Sequence, residues 1–255
     1  MGEVRAKKSL GQHFLVDQNI AKKIVEAIDT SGTANIVEIG PGTGVLTAYL
    51  HEKKLKNFKA IEIDKESIAY LHKKYPDAEN WLIEGDFLKI DINSLGEKLN
   101  FIGNLPYYIS SQIFFRFIEN FDKVDEVVCM IQKEVADRIA AKPGSKTYGL
   151  LSVLLQTYFD IEYLFTVHEH CFQPAPRVKS AVIRLKRNER KSLPCSNELY
   201  KKIVKGTFNQ RRKTIRNSLK SIFIFLEENK FLQNRPEQLS VDDFIELTVD
   251  VERQL

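Results

Sequence analysis

The short run Ile36-Val37-Glu38-Ile39, apolar but for Glu38, passes without a break into Gly40-Pro41-Gly42-Thr43-Gly44, and a helix through Val45, Leu46 and Leu50 follows at once. This join restricts the chain more than any other feature. A strand that is mostly apolar on both faces belongs inside a parallel sheet, and parallel neighbours need helical crossovers. The same alternation recurs. Strands are expected at 58–64, 81–84, 99–102, 126–131, 160–166 and 180–185, with helices between them. Seven strands interleaved with helices predict a doubly wound α/β sheet. Such a sheet takes its ligands beyond the carboxyl ends of its strands.

The residues expected at those ends have the right chemistry for a nucleoside. Glycine lets the backbone pass close to a ligand. The dinucleotide fingerprint G-x-G-x-x-G is not met, because Val45 stands where its last glycine should fall and Pro41 lacks an N–H. A nicotinamide cofactor is therefore disfavoured. The second strand ends in acid: Glu62 suits the ribose hydroxyls of an adenosine, and Asp64 suits a helix cap. Asp86, after the third strand, suits an adenine amine, with Phe87 packing on the ring. The fourth strand stops at Gly103 and gives way to Asn104-Leu105-Pro106-Tyr107-Tyr108. Pro106 keeps Leu105 out of the helical region, so the Leu105 carbonyl is held in extended backbone. That carbonyl, the Asn104 amide oxygen and the flat face of Tyr107 suit the exocyclic amine of a planar base.

The tetrad Asn104-Leu105-Pro106-Tyr107 resembles the signature of amino-directed nucleic-acid methyltransferases. The glycine loop, Glu62 and Gly85-Asp86 together resemble the cofactor site of class I methyltransferases. Gly11-Gln12-His13-Phe14-Leu15 resembles the arm that covers the cofactor in the rRNA adenine dimethyltransferase family, and Phe172-Gln173-Pro174-Ala175-Pro176-Arg177-Val178-Lys179-Ser180 resembles that family's post-motif. The resemblance implies a Rossmann-like, seven-stranded class I domain with S-adenosyl-L-methionine as cofactor. His13, Leu15, Gly40, Glu62, Asp86 and Asn104 would then border the cofactor. Asn104 and Leu105 would hold the amine, with Tyr107 and Phe172 on opposite faces of the target base. An acid at the Asn104 position would have pointed to DNA adenine methylation instead.

Positive charge gathers late in the chain. Net charge is only +4, yet residues 184–220 hold thirteen Lys or Arg against two acids, Glu189 and Glu198. Ser196 is expected to cap a helix through Leu199, Ile203 and Val204. Phe208-Asn209-Gln210-Arg211-Arg212-Lys213 is expected to open or continue a second helix, with Ile215, Leu219 and Ile222 inward, and Ser240 with Asp243 starts a last one through a capping box. The expected organisation is a catalytic domain over 1–188, with its basic arm (Arg5, Lys7, Lys8), and a small basic helical domain over 189–255. Arg211, Arg212, Lys213 and Arg216 are the expected RNA contacts. The tail sequence from Phe208 resembles the bacterial small-subunit branch of the family, the KsgA type, rather than the Erm type acting on large-subunit rRNA. That branch implies dimethylation of two adjacent adenosines near the 3′ end of 16S rRNA within a pre-30S particle, by a monomer. An RNA-binding assembly factor that kept the fold is the reading from another class. The three cysteines, 129, 171 and 195, are odd in number and scattered, which argues against disulfides or zinc and suits a cytoplasmic protein without metal or membrane partners.

Overall fold

The computed structural model describes residues 4–7, 10–32, 34–220, 223 and 229–255; Lys8 and Ile222 lie outside the described residues. In chain order the elements are β1 Phe14–Leu15, α1 Gln18–Ala27, β2 Asn35–Ile39, α2 Val45–Glu52, β3 Phe58–Glu62, α3 Lys65–Lys74, β4 Leu82–Glu84, β5 Leu99–Asn104 and α4 Ser110–Glu119. Then come β6 Val124–Gln132, α5 Lys133–Ile139, α6 Leu150–Tyr158, β7 Phe159–Val167, β8 Phe172–Gln173, β9 Ser180–Arg187, α7 Asn197–Asn209, α8 Ile215–Leu219 and α9 Val241–Glu252. They form two compact units.

The larger unit comprises Met1–Ala136 and Ile161–Arg187. Its sheet has seven strands in the order β4-β3-β2-β5-β6-β9-β7, as expected for a doubly wound fold. The pairs β3–β4, β2–β3, β2–β5 and β5–β6 are parallel, whereas β9 runs antiparallel to β6. Neighbouring residues of β5 show why the centre is apolar. Side chains alternate faces along a strand. Phe101 packs on Phe117 of α4 and on Phe87, with ring centroids 5.0 and 5.6 Å away. Ile102 joins the opposite layer with Ile24 and Val25 of α1 and Leu46 and Leu50 of α2. Asp17 caps α1 by accepting from the N–H groups of Asn19 and Ile20, and Asp64 caps α3 by accepting from Glu66.

The smaller unit comprises Asp137–Asp160 and Asn188–Leu255. It therefore takes in residues 137–160, which the sequence pattern places with the sheet. The physical reason is that α6 is buried nearly all round and packs with the tail helices. Tyr200 of α7 exchanges a 2.9 Å hydrogen bond with Thr157 of α6. Tyr148, Phe208 and Phe244 form a chain of rings 6.2 and 5.8 Å apart. Ser196 accepts from Leu199 N–H to start α7, and the Ser240–Asp243 capping box starts α9. Helix α8 ends at Leu219. Among the described residues no helix is long and apolar enough to cross a membrane.

Candidate active site

A cavity of about 270 Å³ opens in the larger unit at the carboxyl ends of β2, β3, β4 and β5. Its floor is the glycine loop. Gly42 sits at φ +56°, and a Cβ there would stand 3.0 Å from the Phe14 ring, so both the turn and the approach of the arm require glycine. A Cβ on Gly40 would meet no atom within 4 Å, which leaves that stretch of backbone open to a ligand.

Glu62 ties the loop to the tip of β3. Its Oε2 accepts from Gly42 N–H at 2.9 Å, and its Oε1 accepts from Ile63 and Asp64 N–H at 2.8 and 2.9 Å. Burial raises its pKa, and these three backbone donors work against the rise. Capacity for a ribose hydroxyl remains on Oε2, so Glu62 is both a structural tie and a ligand acceptor of reduced valence. Glu38 lies deeper. It is 1 % exposed, accepts from Thr47 Oγ1 at 2.7 Å, and burial pushes its pKa up to about 8. Glu62 and an apolar wall suit a guest that carries both hydroxyl donors and apolar surface.

A prediction follows from Glu38. Its carboxyl titrates near 8 when folded and near 4.5 when exposed, so the folded state holds the extra proton between those values. Stability is then lost as pH rises from about 4.5 to about 8. Glu38→Gln keeps the Thr47 bond and has no proton to lose. Urea unfolding at pH 5 and pH 8 should show a smaller difference for the variant than for the wild type. Equal slopes would mean that Glu38 ionises normally.

The arm closes one wall. Lys7 pairs with Asp64, Gln12 donates to Asp64 at 3.3 Å, and β1 pairs antiparallel with β8 through Phe14–Gln173 and Leu15–Phe172. The His13 Nδ1 lies 2.8 Å from the Pro174 carbonyl, which can only accept, so Nδ1 carries the proton. The His13 carbonyl in turn accepts from Asn104 Nδ2 at 2.9 Å. That bond fixes the amide: its nitrogen faces the arm, and Oδ1 is the acceptor left for a ligand. Leu105 is 1 % exposed and donates its N–H to Met130 at 3.0 Å, which sets the direction of its carbonyl. The Tyr107 hydroxyl shares a 2.6 Å bond with Ser180 Oγ, and its ring stacks on His13 with centroids 5.6 Å apart.

His13, Leu15, Gly40, Glu62, Asp86, Asn104, Leu105 and Tyr107 all line this one cavity. Asp86 accepts from Leu88 N–H at 3.0 Å through Oδ1, which shapes the turn after β4. Phe87 lines the cavity as well, but it is 5 % exposed and packs among Phe101 and Phe117. Phe172 does not line it. Its side chain is 4 % exposed and lies in the apolar layer with Leu15, Val167 and Val182, so the expected aromatic partner of Tyr107 is a core residue here. In the smaller unit Arg212 and Lys213 are exposed. Arg211 is half-buried and donates to Ser145 O at 3.2 Å, with the Glu237 carboxylate 3.8 Å away. Arg216 is half-buried in α8. The lining residues to which a reading of motifs gives no role include Ile63, directly after the strand-ending acid, and Tyr108. Among the described residues no three His, Cys, Asp or Glu side chains are grouped to hold a metal.

The sheet order with β9 antiparallel to β6, the glycine loop and the amide at the tip of β5 define a class I methyltransferase. The family model for ribosomal RNA adenine dimethylase matches residues 3–250, and this chain belongs to that family. Among curated relatives, ribosomal RNA small subunit methyltransferase A of Bacteroides thetaiotaomicron is 53 % identical over 99 % of this chain and 96 % of its own length. Its namesake in Flavobacterium johnsoniae is 52 % identical over 99 % and 98 %. Among solved structures, a dimethyladenosine transferase from Plasmodium falciparum superposes with a TM-score of 0.80 at 23 % identity, covering 95 % of this chain and 98 % of that one. The 23S rRNA methyltransferase ErmE superposes with a TM-score of 0.68 at 24 % identity, over 91 % and 98 %.

Proposed function

We propose that this protein transfers methyl groups from S-adenosyl-L-methionine to the N6 amines of two adjacent adenosines near the 3′ end of small-subunit rRNA, in an assembling subunit. The observation that supports this most is the amide of Asn104, whose Nδ2 donates to the His13 carbonyl and so leaves Oδ1 as the free acceptor in a cavity that Leu105 also lines. Bound S-adenosyl-L-methionine supplies an electrophilic methyl on a cationic sulfur. The protein's share is alignment and charge. Oδ1 of Asn104 and the Leu105 carbonyl accept the two N–H bonds of the amine. This draws the nitrogen away from conjugation with the ring and aims its lone pair. Orientation of this kind is worth about 7–11 kcal/mol. Both acceptors are neutral dipoles that suit the positive charge growing on nitrogen, and their fixed positions avoid reorganisation. No strong base is needed, since the product ammonium gives up its proton readily to water. Tyr107 offers a face to the everted base, a contact worth about 1–3 kcal/mol against the cost of unstacking.

The tail adds phosphate contacts. Arg212 and Lys213 are the exposed members of the cluster and fit this role best, while Arg211 serves the fold of its own unit. The deciding experiment offers isotopically labelled cofactor to undermethylated small subunits, large subunits and DNA, and maps the labelled nucleotides. Two dimethylated neighbours near the 3′ end of small-subunit rRNA are expected. The KM for subunits should rise, and its salt dependence flatten, in the double variant Arg212→Glu, Lys213→Glu. Label in large-subunit RNA alone would overturn the assignment.

A further inference from the structure

Two aromatic faces are needed if one adenine enters the cavity and its neighbour is left unstacked at the mouth. The tetrad's tyrosine supplies only one. The His13 ring covers one side of Tyr107, and Ser180 holds its hydroxyl, so it has a single free face. Phe172 supplies none, being 4 % exposed within the apolar core. The next residue in the chain is different. Tyr108 lines the cavity and is 57 % exposed, one of five exposed large apolar side chains among the described residues. Its ring is not free to swing in every direction. A Cβ on Gly11 would come within 2.8 Å of Tyr108 Cδ1, so the ring lies directly against arm backbone that has no side chain to displace it. Ser110 immediately starts α4 and accepts no freedom either: its hydroxyl donates to the Tyr107 carbonyl at 3.1 Å, bracing the turn on which both tyrosines sit.

An exposed aromatic braced beside a base pocket offers a large, rigid apolar face with a polar tip to whatever enters. A flat, polarisable ring in that position matches a nucleobase better than a protein side chain, because every base has a π-face and needs no further readout. We infer that Tyr108 is the stacking platform for the unpaired base next to the adenosine being methylated. It acts as a substrate-positioning residue. This rests on the proposed reading of the substrate as adjacent adenosines in RNA. It also explains how the second adenosine is kept close while the first is processed.

The test uses full-length protein and undermethylated small subunits, comparing Tyr108→Ala, Tyr108→Phe and Tyr108→Leu. The expected result for Tyr108→Ala is a KM for subunits raised about tenfold, within the range set by one base–aromatic stack. The KM for cofactor and the thermal midpoint should stay at wild-type values. Tyr108→Phe should restore the KM, and Tyr108→Leu, which keeps apolar area but no flat face, should not. In subunits rebuilt with an abasic nucleotide beside the target adenosine, wild type and Tyr108→Ala should become equal. The inference is overturned if Leu serves as well as Phe, if the cofactor KM rises in step with the subunit KM, or if the abasic substrate leaves the gap between the two proteins intact. If the wild type methylates no small-subunit adenosine at all, the reading of the substrate has failed, and that outcome is separable from the others.

Discussion

Asn104→Ala lowers methyl transfer by roughly a hundred- to a thousandfold, the loss typical of removing one preorganised polar contact to a developing charge. Cofactor affinity, measured by calorimetry, should stay within a few fold, because the glycine loop, Glu62 and Ile63 are untouched. Asn104→Asp separates the two jobs of the amide. A carboxylate cannot donate to the His13 carbonyl, and the two oxygens repel at a distance that is now 2.9 Å between nitrogen and oxygen. The arm is then pushed from its seat, so this variant should lose cofactor affinity as well as turnover. Normal turnover in the alanine variant would remove Asn104 from the reaction.

Gly103→Ala is the second large effect, and it acts through packing. A Cβ at Gly103 would lie 2.6 Å from the Ile39 carbonyl oxygen and 3.2 Å from a methyl of Leu105. The first neighbour is backbone of β2 and cannot rotate away. The end of β5 must therefore move off the strand that leads into the glycine loop. Overpacking of this kind costs about 1–3 kcal/mol. At about 2–4 °C per kcal/mol for a chain of this size, the thermal midpoint should fall by several degrees. Activity should fall further than stability suggests, since displacement of about 1 Å at reacting groups costs on the order of a hundredfold. Gly32→Ala, whose Cβ would have only the Ala34 backbone nitrogen at 3.9 Å, is the control and should change neither. An unaltered midpoint in Gly103→Ala would mean that the β2–β5 contact yields more easily than its geometry indicates.

The sheet and most of the cavity were legible in the chain because they depend on local order. Each strand ends in its own ligand-facing residue, so Gly40, Glu62, Asp86 and Asn104 could be placed from the alternation of strand and helix alone. Caps were legible for the same reason: Asp64, Ser196 and Ser240 satisfy N–H groups within three residues of themselves. What was not legible depends on distant pairing. Phe172 reads as a ligand-facing aromatic until its backbone pairs with Leu15, which places its ring in the core. Arg211 reads as one of a basic run until the 142–148 loop claims it through Ser145. The packing of α6 with α7 is likewise invisible in an apolar run that would suit either unit. Tyr108 carries a weaker signal, an aromatic at a turn with no apolar periodicity to bury it.

Because β9 runs opposite to β6, its first residue lies where its parallel neighbours place their last: Ser180 pairs with Gln132 at the edge that also bears Asn104. The residues bounding the cavity span only positions 10–109. The braces for Tyr107 and for the arm, at Ser180 and at Phe172–Gln173, are made some sixty to seventy codons later. During translation the methyl-donor pocket therefore emerges well ahead of the parts that steady the substrate side. A chain cut short between the two would have the walls of the pocket without the supports that hold its tyrosine and its arm.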